Sequence, residues 1–144
     1  MELFISDLDG TLLNGNAEVT EFTRDTLNRL MAKGLNFTAA TARTLASAGK
    51  ILLGLDLKLP VILMNGVLIY DMAEKKYVKI NSLSRELCGL IIGLSKGIGL
   101  EPFMYSVSDN QLSTRYERLI SPAMKSFYNE RRKKYYKSFT QVSD

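Results

Sequence analysis

The pattern of apolar and polar positions divides the N-terminal part of the chain into alternating strands and helices. Short apolar runs over residues 3–7, 35–40 and 61–64 predict buried strands. Between them, apolar residues recur at helical spacing over about 21–33 and 45–55, which predicts two amphipathic helices. Strands that alternate with helices in this way are typical of a parallel sheet.

Residues with special backbone or capping roles support these boundaries. Thr20 is suited to cap the first predicted helix, and Gly34 is suited to end it. Pro60 separates the second predicted helix from the third strand. Two further short strands are predicted over residues 67–70 and 77–80.

From about residue 83 the pattern changes. It predicts a helix that starts after Ser82 or Ser84 and ends near residue 97, strands over 101–107 and 111–116, and a helix over 122–134. This order predicts a separate α+β unit. We therefore divide the chain into two predicted domains, residues 1–82 and 83–144.

The loop after the first strand carries the candidate chemistry. Asp7 and Asp9 are followed directly by Gly10 and Thr11. On an extended backbone, residues two apart project from the same face, so the two carboxylates are expected to point at one spot. Two such groups suit a hard divalent cation, for which we expect Mg²⁺. One carboxylate can also attack as a nucleophile while the other moves a proton.

Polar residues also follow the other two predicted strands of the sheet. Thr41 comes after the second strand and Asn65 after the third. Ligands of parallel sheets bind at the carboxyl ends of the strands, which share one edge. We therefore expect Asp7, Asp9, Thr41 and Asn65 to lie at the same edge.

Composition excludes several kinds of chemistry. The 144 residues include no histidine and one cysteine, Cys88. Histidine metal sites, Ser-His-Asp triads and Cys-His dyads are therefore excluded. No apolar run reaches the roughly 18 residues that predict a membrane span. A lone cysteine, and a start at Met1 without a basic leader, lead us to expect a cytoplasmic protein.

The net charge of +4 is concentrated near the C-terminus. Residues 115–144 contain 8 Lys and Arg against 3 Asp and Glu, with a basic run at 131–134. A nucleic-acid surface is one interpretation of such a cluster. We favour a solvated helix face, or a rim that attracts anionic substrates.

With these residues in view, the chain resembles the haloacid dehalogenase superfamily of phosphohydrolases, and within it the Cof-like branch with a type IIB cap. The motifs that match, in order, are Asp7-Leu8-Asp9-Gly10-Thr11-Leu12-Leu13, Thr41-Ala42-Arg43 and Asn65-Gly66. The resemblance implies an α/β fold with a Rossmann-like parallel sheet and an inserted α+β cap. Residues 1–82 would form the N-terminal part of an incomplete core, and residues 83–144 part of the cap.

The resemblance also implies catalytic and metal-binding roles. Asp7 would be the nucleophile that forms an aspartyl-phosphate, and Asp9 would serve as general acid and base. Mg²⁺ would be held by Asp7 and by the backbone carbonyl of Asp9. Because dehalogenases lack an aspartate at the position of Asp9, phosphate-ester hydrolysis is favoured over carbon–halogen cleavage.

Five residues are implied to contact the substrate or its phosphate group, namely Leu8, Gly10, Thr41, Arg43 and Asn65. Thr41 would donate its hydroxyl, and the backbone near Leu8 would donate N–H groups. Gly10 would let the chain turn sharply. Arg43 and Asn65 are placed at the same edge.

Simpler structural explanations stay open for three of these residues. Thr41 could merely cap the following helix, for which Thr44 is equally suited. Arg43 could lie on a helix start without touching substrate. Asn65 could be only the first residue of a tight Asn-Gly turn.

Parts of the family pattern have no counterpart in this sequence. The family places a lysine and a further acidic motif after the cap, and neither Lys125 nor Lys133 follows a core strand. The first strand, apolar on both faces, would lie at an open edge of a three-stranded core. We therefore expect the N-terminal half of a longer protein.

Two main functions follow from the sequence. The first is a Mg²⁺-dependent phosphatase acting on small phosphorylated metabolites such as sugar phosphates. The alternative is an incomplete fragment, or one half of a split assembly, which pairs with a missing C-terminal half or self-associates through exposed core. A metal-binding Asp-x-Asp glycosyltransferase is a more distant alternative.

Overall fold

The computed structural model describes residues 2–143, which form two units. The first unit ends at Asn81 and the second begins at Ser82. That these units correspond to the core and the cap stays a prediction.

The first unit contains five strands and two helices. They are β1 (Leu3–Ser6), α1 (Glu21–Ala32), β2 (Asn36–Ala39), α2 (Leu45–Leu52), β3 (Val61–Leu63), β4 (Leu68–Asp71) and β5 (Lys76–Ile80). Each predicted strand and helix of this unit is confirmed, and so is the α/β class. The helix α2 ends before residue 55, where Gly54 takes the left-handed φ of 89°.

Parallel pairing brings the strand ends together. β1 pairs in parallel with β2, with Ser6 opposite Ala39. The N–H of Ala40 donates to the carbonyl of Ser6 at 2.9 Å, which continues the pairing to the end of both strands. β3 joins through one parallel bridge between Ala40 and Ile62. The carboxyl ends of β1, β2 and β3 therefore share an edge, as the sequence predicts.

The core of the first unit is made by the two helices and the sheet. Its most deeply buried apolar residues are Leu8, Met31, Ala39, Ala48, Leu52, Val61, Leu63 and Leu68. The predicted cap of α1 is confirmed, because the Thr20 hydroxyl accepts a hydrogen bond from the N–H of Thr23 at 3.2 Å. The strands β4 and β5 extend from β3 in antiparallel fashion.

The second unit contains two helices and three strands. They are α3 (Arg85–Gly97), β6 (Met104–Ser108), β7 (Gln111–Tyr116), α4 (Pro122–Tyr135) and β8 (Phe139–Gln141). Of the two candidate caps for α3, Ser84 is the one observed, and its hydroxyl accepts from the N–H of Leu87. Aromatic side chains pack this unit together, with ring centroids of Tyr128 and Phe139 4.9 Å apart and those of Phe103 and Phe127 5.2 Å apart.

The strand β8 is absent from the sequence prediction. It pairs in parallel with β7 over three residue pairs, from Thr114 opposite Phe139 to Tyr116 opposite Gln141. A strand this short shows no periodicity of its own. It forms after α4 ends at Tyr135, where Tyr136 takes the left-handed φ of 51°, and Phe139 joins the aromatic cluster.

Among the residues that the structure describes, no helix combines the length and the apolar character needed to cross a membrane. The cytoplasmic location stays a prediction.

The strand β1 lies at an open edge. Within residues 2–143 it pairs only with β2, and Leu3, Phe4 and Ile5 are 54%, 49% and 50% exposed. Such a row of unpaired backbone groups with apolar side chains on both faces is a template for association. The open edge predicted from the sequence is therefore present.

We predict that the 144-residue chain self-associates through β1 and that Phe4→Lys disperses it, because a charge on an edge strand opposes strand addition. Sedimentation velocity at increasing protein concentration measures this. The matched control is Phe22→Lys, since Phe22 is 80% exposed on α1. A wild-type chain that stays monomeric, or two variants that behave alike, would contradict the prediction.

Candidate active site

The first functional loop, residues 7–13, is a wide turn that follows β1. Its anchor is Leu8, whose side chain is completely buried and whose carbonyl accepts a hydrogen bond from the N–H of Leu13 at 3.0 Å. Gly10 sits in the turn with φ 78° and ψ 2°. A Cβ at Gly10 would meet nothing within 4 Å, so there is space for a side chain. Glycine is favoured here because of its positive φ.

The two carboxylates are both exposed on this turn. β1 ends at Ser6, and Asp7 (φ −69°, ψ 161°) and Asp9 (φ −76°, ψ 119°) follow it with extended backbone angles. That both carboxylates point at one spot stays a prediction. The Asp9 carboxylate is held by a contact with the second loop.

The second functional loop, residues 40–44, follows β2 and is hydrogen-bonded to the turn after β3. The buried hydroxyl of Thr41 accepts a hydrogen bond from the N–H of Arg43 at 3.1 Å. The carbonyl of Arg43 accepts from the N–H of Met64 at 3.1 Å, and the carbonyl of Thr41 accepts from the N–H of Asn65 at 3.1 Å. These bonds hold the backbone of Thr41 and Arg43 at the strand-end edge.

Thr41 does not cap the following helix. Thr44 occupies the N-cap position of α2, and the Thr41 hydroxyl is bonded to the Arg43 N–H. The capping alternative for Thr41 is therefore wrong. Its contact with a phosphate group stays a prediction.

Asn65 lies in the tight turn between β3 and β4. It has φ 56° and ψ 37°, a left-handed conformation that asparagine tolerates better than most residues. The N–H of Val67 donates to the carbonyl of Met64 at 3.2 Å and closes the turn. The Asn-Gly turn thus accounts for the backbone of Asn65, and a role for its side chain in the site stays a prediction.

Arg43 and Asp9 join the two functional loops through a two-pronged ion pair. Arg43 Nε donates to Asp9 Oδ2 at 2.8 Å, and Arg43 Nη2 donates to Asp9 Oδ1 at 2.6 Å. The side chain of Arg43 is 19% exposed and that of Asp9 is 53% exposed. The predicted edge placement of both residues did not reveal this contact, because their positions in the sequence carry no information on which side chains pair.

This ion pair sets the electrostatics of Asp9. The hydrogen bonds from Arg43 lower the pKa of Asp9 below its ordinary value of 3.8; partial burial raises that pKa, and the charge of Arg43 lowers it further. The net direction is downward. Asp9 is therefore held as a carboxylate in this arrangement.

The oxygen atoms of this loop are suited to a hard cation. Asp7 offers its carboxylate, and Asp9 offers its backbone carbonyl and its carboxylate, which are ligands of the kind that Mg²⁺ prefers. Among residues 2–143 there is no group of three or more Asp, Glu, Cys or His side chains that could hold a metal. The donor set fits Mg²⁺ in kind but fills only part of its coordination shell.

Comparison with known proteins identifies the family. A model of the haloacid dehalogenase-like hydrolases matches residues 4–144. The chain belongs to this family. The haloacid dehalogenase family and the α/β fold class predicted from the sequence are confirmed.

The chain is also similar to individual relatives. A protein of Mycoplasma genitalium named "Putative phosphatase MG265" is 37% identical over 94 residues, which make up 64% of this chain and 34% of that protein. A haloacid dehalogenase-like hydrolase from Bacteroides thetaiotaomicron superimposes with a TM-score of 0.71 at 21% identity, covering 99% of this chain and 52% of that one.

A third relative is a solved sugar phosphatase of haloacid dehalogenase subclass IIB. It superimposes with a TM-score of 0.63 at 18% identity, covering 98% of this chain and 53% of that one. At such identities the two solved structures support the fold alone. The chain spans about half the length of both.

The Asp9–Arg43 pair predicts a pH-dependent stability. A carboxyl whose pKa is lowered by folding stabilises the folded state above its unfolded pKa, and this contribution is lost as the pH falls through the folded pKa. We expect wild type to exceed Asp9→Asn in unfolding free energy at about pH 6, and the difference to shrink by about pH 3. Urea unfolding at each pH measures this. The unfolding free energy of Arg43→Gln should lack the same pH-dependent contribution. A difference between wild type and Asp9→Asn that does not change with pH would contradict the prediction.

Proposed function

We propose that this chain carries the nucleophile half of a phosphatase site that hydrolyses monoesters of small phosphorylated metabolites, such as sugar phosphates. The observation that supports this most is the convergence of the Asp7–Asp9 turn with the Thr41–Arg43 loop at one strand-end edge. The 2.6 Å contact between Arg43 Nη2 and Asp9 Oδ1 joins the two loops directly. A relative named as a putative phosphatase is consistent with the same reaction.

The chemistry proposed for the chain uses both carboxylates. Before the first step, Asp9 leaves Arg43 and takes a proton from solvent. A carboxylate oxygen of Asp7 attacks the phosphorus, the bond to the ester oxygen breaks, and that oxygen leaves with the proton from Asp9. A water then attacks the aspartyl-phosphate and gives a proton to Asp9. Inorganic phosphate leaves, and Asp7 returns to its starting state.

The second loop would hold the phosphoryl group during both steps. Thr41 accepts a hydrogen bond from the Arg43 N–H, which leaves the proton of its hydroxyl to be directed at a phosphoryl oxygen. The guanidinium of Arg43 matches the geometry of two phosphoryl oxygens. Backbone N–H groups near Leu8 and Gly10 would face the same group.

Mg²⁺ is the cofactor that we propose for this site. The Asp7 carboxylate and the backbone carbonyl of Asp9 would hold it, with the rest of its shell made by water, phosphate and residues outside this chain. When bound, the ion lowers the repulsion between a carboxylate nucleophile and a phosphate dianion.

A second candidate is that the chain has no activity alone and works as one half of an assembly. The observation in its favour is the open apolar edge of β1, where Phe4 and Ile5 remain about half exposed. In this case a partner polypeptide would supply strands to that edge and the remaining catalytic groups.

Hydrolysis of p-nitrophenyl phosphate by the chain in the presence of Mg²⁺ tests the proposal. We expect Asp7→Asn to lower the rate by at least about 100-fold, because it removes the nucleophile. The matched control is Asp25→Asn on α1, an exposed carboxylate away from the two loops, which should leave the rate unchanged.

Hydrolysis that survives Asp7→Asn would refute the proposed nucleophile. A folded wild-type chain without any hydrolysis would favour the second candidate over the first.

A further inference from the structure

The Asp9–Arg43 pair occupies groups that the proposed reaction needs. Both carboxylate oxygens of Asp9 accept hydrogen bonds from Arg43, at 2.8 Å and 2.6 Å. While the pair is closed, Asp9 cannot exchange a proton with a leaving group through these lone pairs. The same two donors of Arg43 are also unavailable to a phosphate group.

The two partners are held to different degrees. Arg43 is fixed through its backbone, since its N–H donates to the Thr41 hydroxyl and its carbonyl accepts from the N–H of Met64, both at 3.1 Å. Its side chain is 19% exposed, against 53% for Asp9. A ligand arriving at the edge therefore meets the exposed carboxylate and, behind it, an anchored guanidinium.

We propose that Arg43 is an exchange latch, which holds Asp9 through Nε and Nη2 and transfers these two donors to phosphoryl oxygens when a phosphate group binds. The inference rests on the proposed function and adds a coupling to it: phosphate binding frees Asp9 for proton transfer. A guanidinium pairs with two oxygens of a phosphate group in the same forked geometry as with a carboxylate. Substrate binding and the release of Asp9 thus become one event.

The exchange latch predicts a result that repulsion between the Asp9 carboxylate and phosphate alone does not. Asp9→Asn removes the charged partner of Arg43 Nε and Nη2, so phosphate no longer has to break this ion pair to reach those two donors. Inorganic phosphate should then bind about fivefold more tightly. In an Arg43→Gln background there is no latch to open, so adding Asp9→Asn should give a clearly smaller gain, limited to the loss of one repelling charge.

The experiment is a titration of inorganic phosphate by isothermal calorimetry, without metal, on four proteins: wild type, Asp9→Asn, Arg43→Gln and the double variant. Far-UV circular dichroism of each checks folding. If Arg43→Gln fails to fold, Arg43→Lys replaces it, because a lysine keeps the charge but cannot form the fork.

An equal gain from Asp9→Asn in both backgrounds would overturn the latch, since it would reflect only the loss of a repelling charge. Absence of phosphate binding in all four proteins would overturn it as well. The titration measures phosphate affinity and needs no hydrolysis, so the latch and the proposed function can fail independently. Binding that behaves as expected beside absent hydrolysis would count against the phosphatase alone, and hydrolysis beside an equal gain would count against the latch alone.

Discussion

The parallel pairing of β1 with β2 is the constraint on which the candidate site depends. Its last hydrogen bond, from the Ala40 N–H to the Ser6 carbonyl at 2.9 Å, carries the pairing to the end of both strands. Because parallel strands end at one edge, residues that are 34 positions apart in sequence meet there, and Asp9 can bond to Arg43. The two functional loops would have no fixed relation without it.

Hydrophobic periodicity predicts most of the first unit because its helices and strands are amphipathic or wholly apolar over several residues. Polar residues directly after three of these strands predict the edge of the site. The pairing of Asp9 with Arg43 could not be predicted, since it depends on where two loops place their side chains. Likewise, β8 is too short for a pattern of its own and follows the end of α4 at Tyr135.

The strand β1 is more exposed than its apolar sequence suits. A strand with apolar side chains on both faces is suited to the middle of a sheet, yet Leu3 and Ile5 are 54% and 50% exposed here. The chain spans about half the length of the solved relatives that it matches. The open edge runs along the side of β1, whereas the candidate site lies where β1, β2 and β3 end.

The most direct test of the central claim is to trap the aspartyl-phosphate by borohydride reduction during turnover and to locate the reduced residue by tandem mass spectrometry. Reduction converts a phosphorylated aspartate, but not a free one, to homoserine. We predict homoserine at position 7 and none in Asp7→Asn. Trapping at position 9, or release of phosphate with no trapped residue, would contradict the assignment of Asp7 as the nucleophile.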